Sequence, residues 1–244
     1  MKDPYLNFET GILKNRLGIK DQKSLDNAET AFASIAINNL RETGFEIATI
    51  KDCLIIHQKL FDKVYDWAGQ PRTIDIYKGE SILDGKSIDY VFASYIDQAL
   101  EDLEKEFKAV IWEKLNPTEK IDRICYFVSE FWHIHPFREG NTRTAAMMLY
   151  FLIKKAGLHV NINFLSRNGK YFRNALVLSC LYTASKPEYL KDIVRDSVTF
   201  RNVSDNKYKT IEGIEVDKYS YVNHTVDKLK TIEKPKDWMK KPHK

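Results

Sequence analysis

The sequence predicts a mainly α domain that carries one small β-hairpin. Apolar residues recur at helical spacing through most of the chain from Ala31 to Val198, as the inward faces of amphipathic helices do. Between Trp67 and Asp89 the pattern gives way to two short β-prone pieces, Thr73 to Tyr77 and Ser81 to Leu83, set off by Gly69, Pro71, Gly79 and Gly85. No internal repeat or low-complexity segment interrupts the pattern. With 244 residues, 43% hydrophobic and 30% charged, the chain is long enough for one large core, expected over residues 1–200. Residues 201–244 are then a charged C-terminal extension of unknown structure.

Taken in order, Ala31, Phe32, Ile35, Ala36 and Leu40 share one helical face, and Ile50, Leu54, Ile55, Leu60, Phe61 and Val64 mark a second helix. The hairpin follows. A third helix is predicted from Ile88 to Phe107, with Val91, Phe92, Tyr95, Ile96, Ala99, Leu100 and Leu103 facing inward. The fourth has the clearest start. Asn116 suits the cap, Pro117 the first helical position, and Glu119 the first turn, where the positive end of a helix favours a carboxylate. A loop at 135–140 separates this helix from Thr142 to Ile153, which is apolar on nearly every side, as a central helix must be, and closes with Lys154, Lys155 and Gly157. Two more helices are predicted at Lys170 to Ala184 and Pro187 to Val198, and Thr210 to Tyr221 reads equally as a strand or an irregular arm.

Composition excludes several classes of function. The three cysteines, Cys53, Cys125 and Cys180, are widely spaced, which points to a reducing compartment. The first residues lack an apolar stretch of signal-peptide length, and the longest apolar run, Ala145 to Ile153, stops at Lys154. A cytoplasmic protein without a membrane segment is expected. The net charge of +4 lies wholly after residue 200, where eleven Lys or Arg face seven Asp or Glu. That pattern suits a solvated end, and no nucleic-acid partner is expected.

The chemistry is concentrated in His135-Pro136-Phe137-Arg138-Glu139-Gly140-Asn141-Thr142-Arg143. A helix start exposes unpaired N–H groups and about half a positive charge, so a Gly-Asn turn feeding a helix is a ready anion site. Gly140 lets the backbone approach a ligand closely, Asn141 offers a side-chain amide, and Arg143 adds a delocalised charge for outlying phosphates. A carboxylate such as Glu139 repels phosphate unless a cation lies between, which implies a metal ion. His135 has the pKa range for taking a proton from a hydroxyl.

This run resembles the signature of the Fic family: His, any residue, Phe, any residue, Asp or Glu, Gly, Asn, any residue, Arg. Tyr5, Thr10-Gly11, Leu13 to Ile19 and Ala28-Glu29 are similar to the N-terminal segment of many bacterial members, and Val64 to Thr73 to the piece before the target-docking hairpin. The resemblance implies a mainly α, Fic-like helical domain with a small β-hairpin flap, acting as a protein adenylyltransferase that moves AMP from ATP to a Tyr, Thr or Ser hydroxyl of a target protein. By the same resemblance His135 is the general base, Glu139 holds Mg²⁺, and Gly140, Asn141, Thr142 and Arg143 bind the nucleotide, with Phe137 as a buried anchor. Ile74, Asp75, Ile76, Tyr77 and Lys78 belong to the flap, which would hold the target by strand addition. Tyr171 and Asn174 are candidates for binding the base.

Two departures qualify that reading. Ala146 stands where many members carry a second Arg for the γ-phosphate, and Thr142 replaces the usual Gly. Transfer of phosphate or UMP, or a catalytically silent binding module, are the alternatives. The family is often restrained by a helix bearing Ser or Thr, three residues, then Glu and Gly or Asn. Ser34 to Asn39 lacks the Glu, and Glu212-Gly213 follows Tyr208, so a separate small antitoxin-like protein is expected to supply the restraint. A zinc-type hydrolase using His133 and His135 is disfavoured, because Pro136 breaks the helix that such a site needs.

Overall fold

The protein is described here by a computed structural model covering residues 3–182 and 184–199, together with the backbone of residues 208–211 and 214–217. Eight α-helices are present among these residues: α1 (Gln22–Glu42), α2 (Asp52–Phe61), α3 (Ile96–Lys108), α4 (Pro117–Ile134), α5 (Asn141–Lys155), α6 (Ile162–Arg167), α7 (Gly169–Ser179) and α8 (Glu188–Thr199).

Local signals set most of these boundaries. Asp21 caps α1 by accepting from the Ser24 N–H at 2.9 Å. At α4 the capping box is complete: Asn116 accepts from the Glu119 N–H at 3.0 Å and Glu119 accepts from the Asn116 N–H at 2.8 Å. Helix α5 is the hub. Ala145, Met148, Leu149, Leu152 and Ile153 are each 0% exposed, and burying one such large side chain stabilises the fold by about 1.5–3 kcal/mol. Helices α4 and α2 pack on α5, α1 covers α2, and α3 and α8 flank α4. The loop at 135–140 is therefore anchored at both ends in the core, because α4 enters it and α5 leaves it.

Three sequence expectations are corrected. The third helix begins eight residues late, since residues 88–92 are not helical and a single 3-10 turn, Ala93–Tyr95, precedes α3. The carbonyls of Asp89 and Val91 accept bonds from His133 and Arg72, which removes them from any helical ladder. The expected hairpin is not a β-hairpin. Residues 74–80 carry no strand assignment and Ser81–Leu83 form a 3-10 turn ending in Asp84 at φ 53°. The Arg72 guanidinium takes the carbonyls of Ile74 and Val91, and Gly79 lies so close to the Gly85 carbonyl that a Cβ would sit 2.7 Å from its oxygen. The arm is a side-chain-braced loop. Finally, α7 stops at Ser179 rather than Ala184, and the short α6, capped by Asn161 bonding to the Phe164 N–H at 3.0 Å, is too brief to show a period in sequence.

Beyond residue 199, Tyr208–Ile211 and Ile214–Asp217 pair as antiparallel strands β1 and β2, which decides for strand over that part of the ambiguous arm. The rest of the expected 201–244 extension lies outside the described residues. No helix among the described residues is long and apolar enough to cross a membrane.

Candidate active site

The loop from His135 to Arg143 is held by its own side chains and by α2 behind it. His135 ends α4 in the left-handed conformation, at φ 51° and ψ 57°, a rare state for a residue with a Cβ that concentrates at functional sites. Pro136 then cannot extend the helix. Asn141 staples the turn: its Oδ1 accepts from the Phe137 N–H at 3.0 Å while its Nδ2 donates to the Phe137 carbonyl at 2.7 Å. Phe137 is fully buried and its ring stacks on His57 at 3.6 Å. Gly140 has φ 85°, and a Cβ there would lie 2.4 Å from the Phe61 ring, so this turn admits only glycine.

His57 completes the backing. Its Nδ1 accepts from the Gly69 N–H at 2.8 Å and its Nε2 lies 3.0 Å from the Glu139 carbonyl. A carbonyl only accepts, so Nε2 carries the proton. Burial pushes the His57 pKa down to about 3, outweighing the opposite pull of that carbonyl.

His135 has the reverse tautomer. Its Nδ1 is 3.0 Å from the Trp132 carbonyl, so Nδ1 holds the proton and Nε2 presents a bare lone pair. That Nε2 is buried with no hydrogen-bond partner. Burial first, then the nearby Lys78 charge, hold its pKa well below the ordinary 6.5. The Tyr90 ring lies over the imidazole at 3.9 Å. Arg72 fixes the loop from outside, donating from Nε to the His135 carbonyl at 2.9 Å and from its backbone N–H to the Pro136 carbonyl at 2.7 Å.

Charged groups meet in pairs around the start of α5. Glu139 takes the Lys78 ammonium at 2.8 Å and the Gly140 N–H at 2.9 Å. Burial alone would raise its pKa, but Lys78 and that N–H outweigh burial and bring it to about 2. Arg143 pairs with Glu29 of α1 and lies 4.7 Å above the Phe61 ring, and Glu29 also accepts from the Tyr65 hydroxyl. The Thr142 hydroxyl oxygen accepts from Trp132 Nε1 at 3.1 Å and from Arg173 at 3.4 Å.

The geometry can be set against known proteins. The Fic/DOC family matches residues 47–153, which hold the whole loop. The chain is 32% identical over 184 residues to y4lH of Sinorhizobium fredii, named a probable protein adenylyltransferase, covering 73% of this chain and 88% of that protein. The chain belongs to the Fic/DOC family. It is also 35% identical over 199 residues to the protein adenylyltransferase VbhT of Bartonella schoenbuchensis, covering 77% of this chain but 40% of VbhT. The chain thus spans less than half the length of that relative. Among solved structures it superposes on BepC of Bartonella tribocorum with TM-score 0.65 and 25% identity, over 79% of this chain and 95% of that one.

In this Fic chain the predicted residues 135–143 come together as one site, with Lys78 of the flap against Glu139. Ile74 and Ile76 are half-buried against the core, whereas Asp75 and Tyr77 are exposed, Tyr77 at 73%. Asn141 spends its amide on Phe137 rather than facing outward. Tyr171 and Asn174 are buried, and the Tyr171 ring turns to Tyr189 on α8 at 6.5 Å, so α7 reaches the loop through Arg173 instead. Sequence reasoning missed Glu29, His57, Arg72, Glu80 and Arg173. Only Glu29 gave a usable signal, as a carboxylate on the inward face defined by Leu25, Ala33 and Leu40.

Proposed function

We propose that this Fic/DOC chain is a protein adenylyltransferase that transfers AMP from ATP to a Tyr, Thr or Ser hydroxyl of a target protein. The observation that carries this reading is the bare, unpartnered Nε2 of His135 beside the Gly140–Arg143 helix start. Nε2 takes the proton of the target hydroxyl while its oxygen forms a bond to the α-phosphorus. The bond from that phosphorus to the bridging oxygen breaks, and pyrophosphate leaves. The backbone N–H groups opening α5 and the Arg143 guanidinium balance charge on the phosphates. A neutral imidazole is the form this step needs, and the low pKa of His135 keeps it neutral at physiological pH.

The ionised Glu139 carboxylate already has a cation, the Lys78 ammonium, at 2.8 Å; Glu139 therefore fits as the residue that would hold Mg²⁺ with the phosphates. Bound there, Mg²⁺ neutralises phosphate charge. Among the described residues no group of three or more His, Cys, Asp or Glu is placed to hold a metal ion. VbhT's name and the AMPPNP bound in BepC support ATP as the donor.

His135 is 1% exposed and the Tyr90 ring lies over it, so a target hydroxyl reaches Nε2 only after a local rearrangement. Residues 74–78 have no β-partner among the described residues, which suits strand addition by a target segment. A small antitoxin-like protein is the proposed restraint, since neither candidate brake in the sequence has the required Glu and spacing.

Because Ala146 removes one phosphate contact, transfer of phosphate or UMP is the second reading. Incubation with Mg²⁺, target lysate and ATP labelled at the α or the γ position, with α-labelled UTP in parallel, decides between them. Label from the α position of ATP is expected; label from γ or from UTP alone sinks AMP transfer, and a His135→Ala variant that labels as well as wild type sinks the proposed base.

A further inference from the structure

We infer that Arg173 of α7, acting with the Thr142 hydroxyl, is a second cationic contact for the distal phosphates of the nucleotide. The inference rests on the nucleotide reading of the loop. Arg173 and Glu80 form a fork-to-fork pair, with Nε 3.1 Å and Nη2 2.9 Å from the two carboxylate oxygens. The Glu80 side chain is 3% exposed but that of Arg173 is 39% exposed, so the carboxylate holds one edge of the guanidinium rigidly and leaves the other edge open. On that open edge Nη1 lies 3.4 Å from the Thr142 oxygen.

Thr142 is thereby constrained. Its oxygen has two lone pairs, and Trp132 Nε1 at 3.1 Å and Arg173 Nη1 point donors at them. The hydroxyl proton is what remains to be offered. A guanidinium carries five N–H groups, of which Glu80 takes two and Thr142 one. The pair therefore presents two N–H donors, one O–H donor and a fixed positive charge at the first turn of α5, whose own N–H groups already favour an anion. A hydroxyl at this position adds a donor that glycine lacks, so Thr142 and Arg173 work as one unit.

A second observation on the same loop points to a ligand. His135 Nε2, buried and without a partner, opens the other end of the loop. Arg173 is coupled to both ends: its charge disfavours protonation of His135, and the Glu139 carboxylate favours the charged form of Arg173. The chemistry that fits a planar, half-exposed guanidinium beside a hydroxyl donor is a polyphosphate with non-bridging oxygens on successive phosphates.

The test is equilibrium binding of ATP, ADP and AMP with Mg²⁺ by calorimetry to the wild-type chain and to Arg173→Gln, Arg173→Lys, Thr142→Val and Glu80→Gln. Arg173→Gln is expected to weaken ATP by about tenfold or more and AMP by less than about twofold, as the loss of charge-assisted bonds to distal phosphates requires. Arg173→Lys should recover part of the loss. Thr142→Val, which keeps the side-chain shape but removes the hydroxyl, should weaken ATP more than AMP, so the inference stays testable if Arg173→Gln does not fold. Glu80→Gln, which lifts a competing negative charge while keeping an acceptor, should bind ATP at least as tightly as wild type. Unchanged ATP affinity in folded Arg173→Gln, or an equal loss for ATP, ADP and AMP, overturns the role of Arg173 and leaves the nucleotide reading standing. A wild-type chain that binds no ATP overturns the nucleotide reading, and this inference with it.

Discussion

Glu29, midway along α1, holds the guanidinium of Arg143 at the start of α5, 114 positions away in sequence. The carboxylate is 6% exposed and also accepts from the Tyr65 hydroxyl, while Arg143 keeps 32% of its side chain exposed. One buried charge therefore sets the direction of the loop's terminal cation and ties α1 to the site. Glu29→Ala leaves the Tyr65 hydroxyl and the Arg143 charge unpartnered, and is expected to cost about 1–3 kcal/mol in urea unfolding. Glu29→Gln, which preserves an acceptor, should recover most of that. Equal stability of the alanine variant and the wild type would show that the pair is not a structural tie.

On the proposal that Glu139 would hold a divalent cation, Lys78 competes with that ion for the carboxylate. With the ammonium 2.8 Å from Glu139, Lys78→Met should bind Mn²⁺ several-fold more tightly than wild type in the absence of nucleotide, as read by electron paramagnetic resonance, given that a charged contact of this kind is worth about 1 kcal/mol or more. Glu139→Gln should abolish the site in both backgrounds. If Lys78→Met binds Mn²⁺ no better, the ammonium does not occupy the metal's place.

Gly140 has neither steric nor conformational latitude. Its φ of 85° and the 2.4 Å approach of a Cβ to the Phe61 ring predict that Gly140→Ala loses about 1–3 kcal/mol of stability, from left-handed strain and overpacking. Phe61→Leu in the same chain should return part of it by vacating the space. A Gly140→Ala protein that melts with wild type contradicts the packing of α2 against the loop.

Burial holds the pKa of His135 in the loop, and of His57 in α2 behind it, below the ordinary histidine range. For His57 the folded value of about 3 lies under the ordinary 6.5, so its contribution to stability is complete above pH 6.5. It is lost as pH falls, at about 1.4 kcal/mol per pH unit until about pH 3. Urea unfolding between pH 7 and pH 4 should show that slope, reduced in His57→Gln. The same logic applied to His135 predicts labelling activity without an acid limb near pH 6.5. An activity that halves at pH 6.5 through protonation of the base would refute it.

Much of the architecture was legible because its causes are local. The capping box at Asn116 and Glu119, the apolar faces of the long helices and the Gly-Asn turn at 140 are properties of neighbouring residues, and they survive into the fold. The flap failed as a hairpin for the opposite reason. Ile74 to Tyr77 has strand propensity, but the Ile74 carbonyl is taken by the Arg72 guanidinium, and nothing local reveals that Arg72 folds back to bridge Ile74 and Val91. Asn141 was rightly placed in the turn, but its amide faces Phe137, a choice that depends on which way the turn closes.

The sequence by itself determined the chemistry on offer: a histidine, a carboxylate, a glycine-led helix start and an arginine within nine residues, flanked by helices whose periodicity buries both ends of the loop. Tertiary structure alone decided which groups those residues meet. Glu29, His57, Lys78 and Arg173 come from four separate segments and converge on the loop because α1, α2, the flap arm and α7 pack around α4 and α5. Their partnerships follow from close packing and charge pairing across sequence separations that no local pattern encodes. The Trp132 carbonyl likewise fixes which nitrogen of His135 is bare, through the left-handed turn that ends α4.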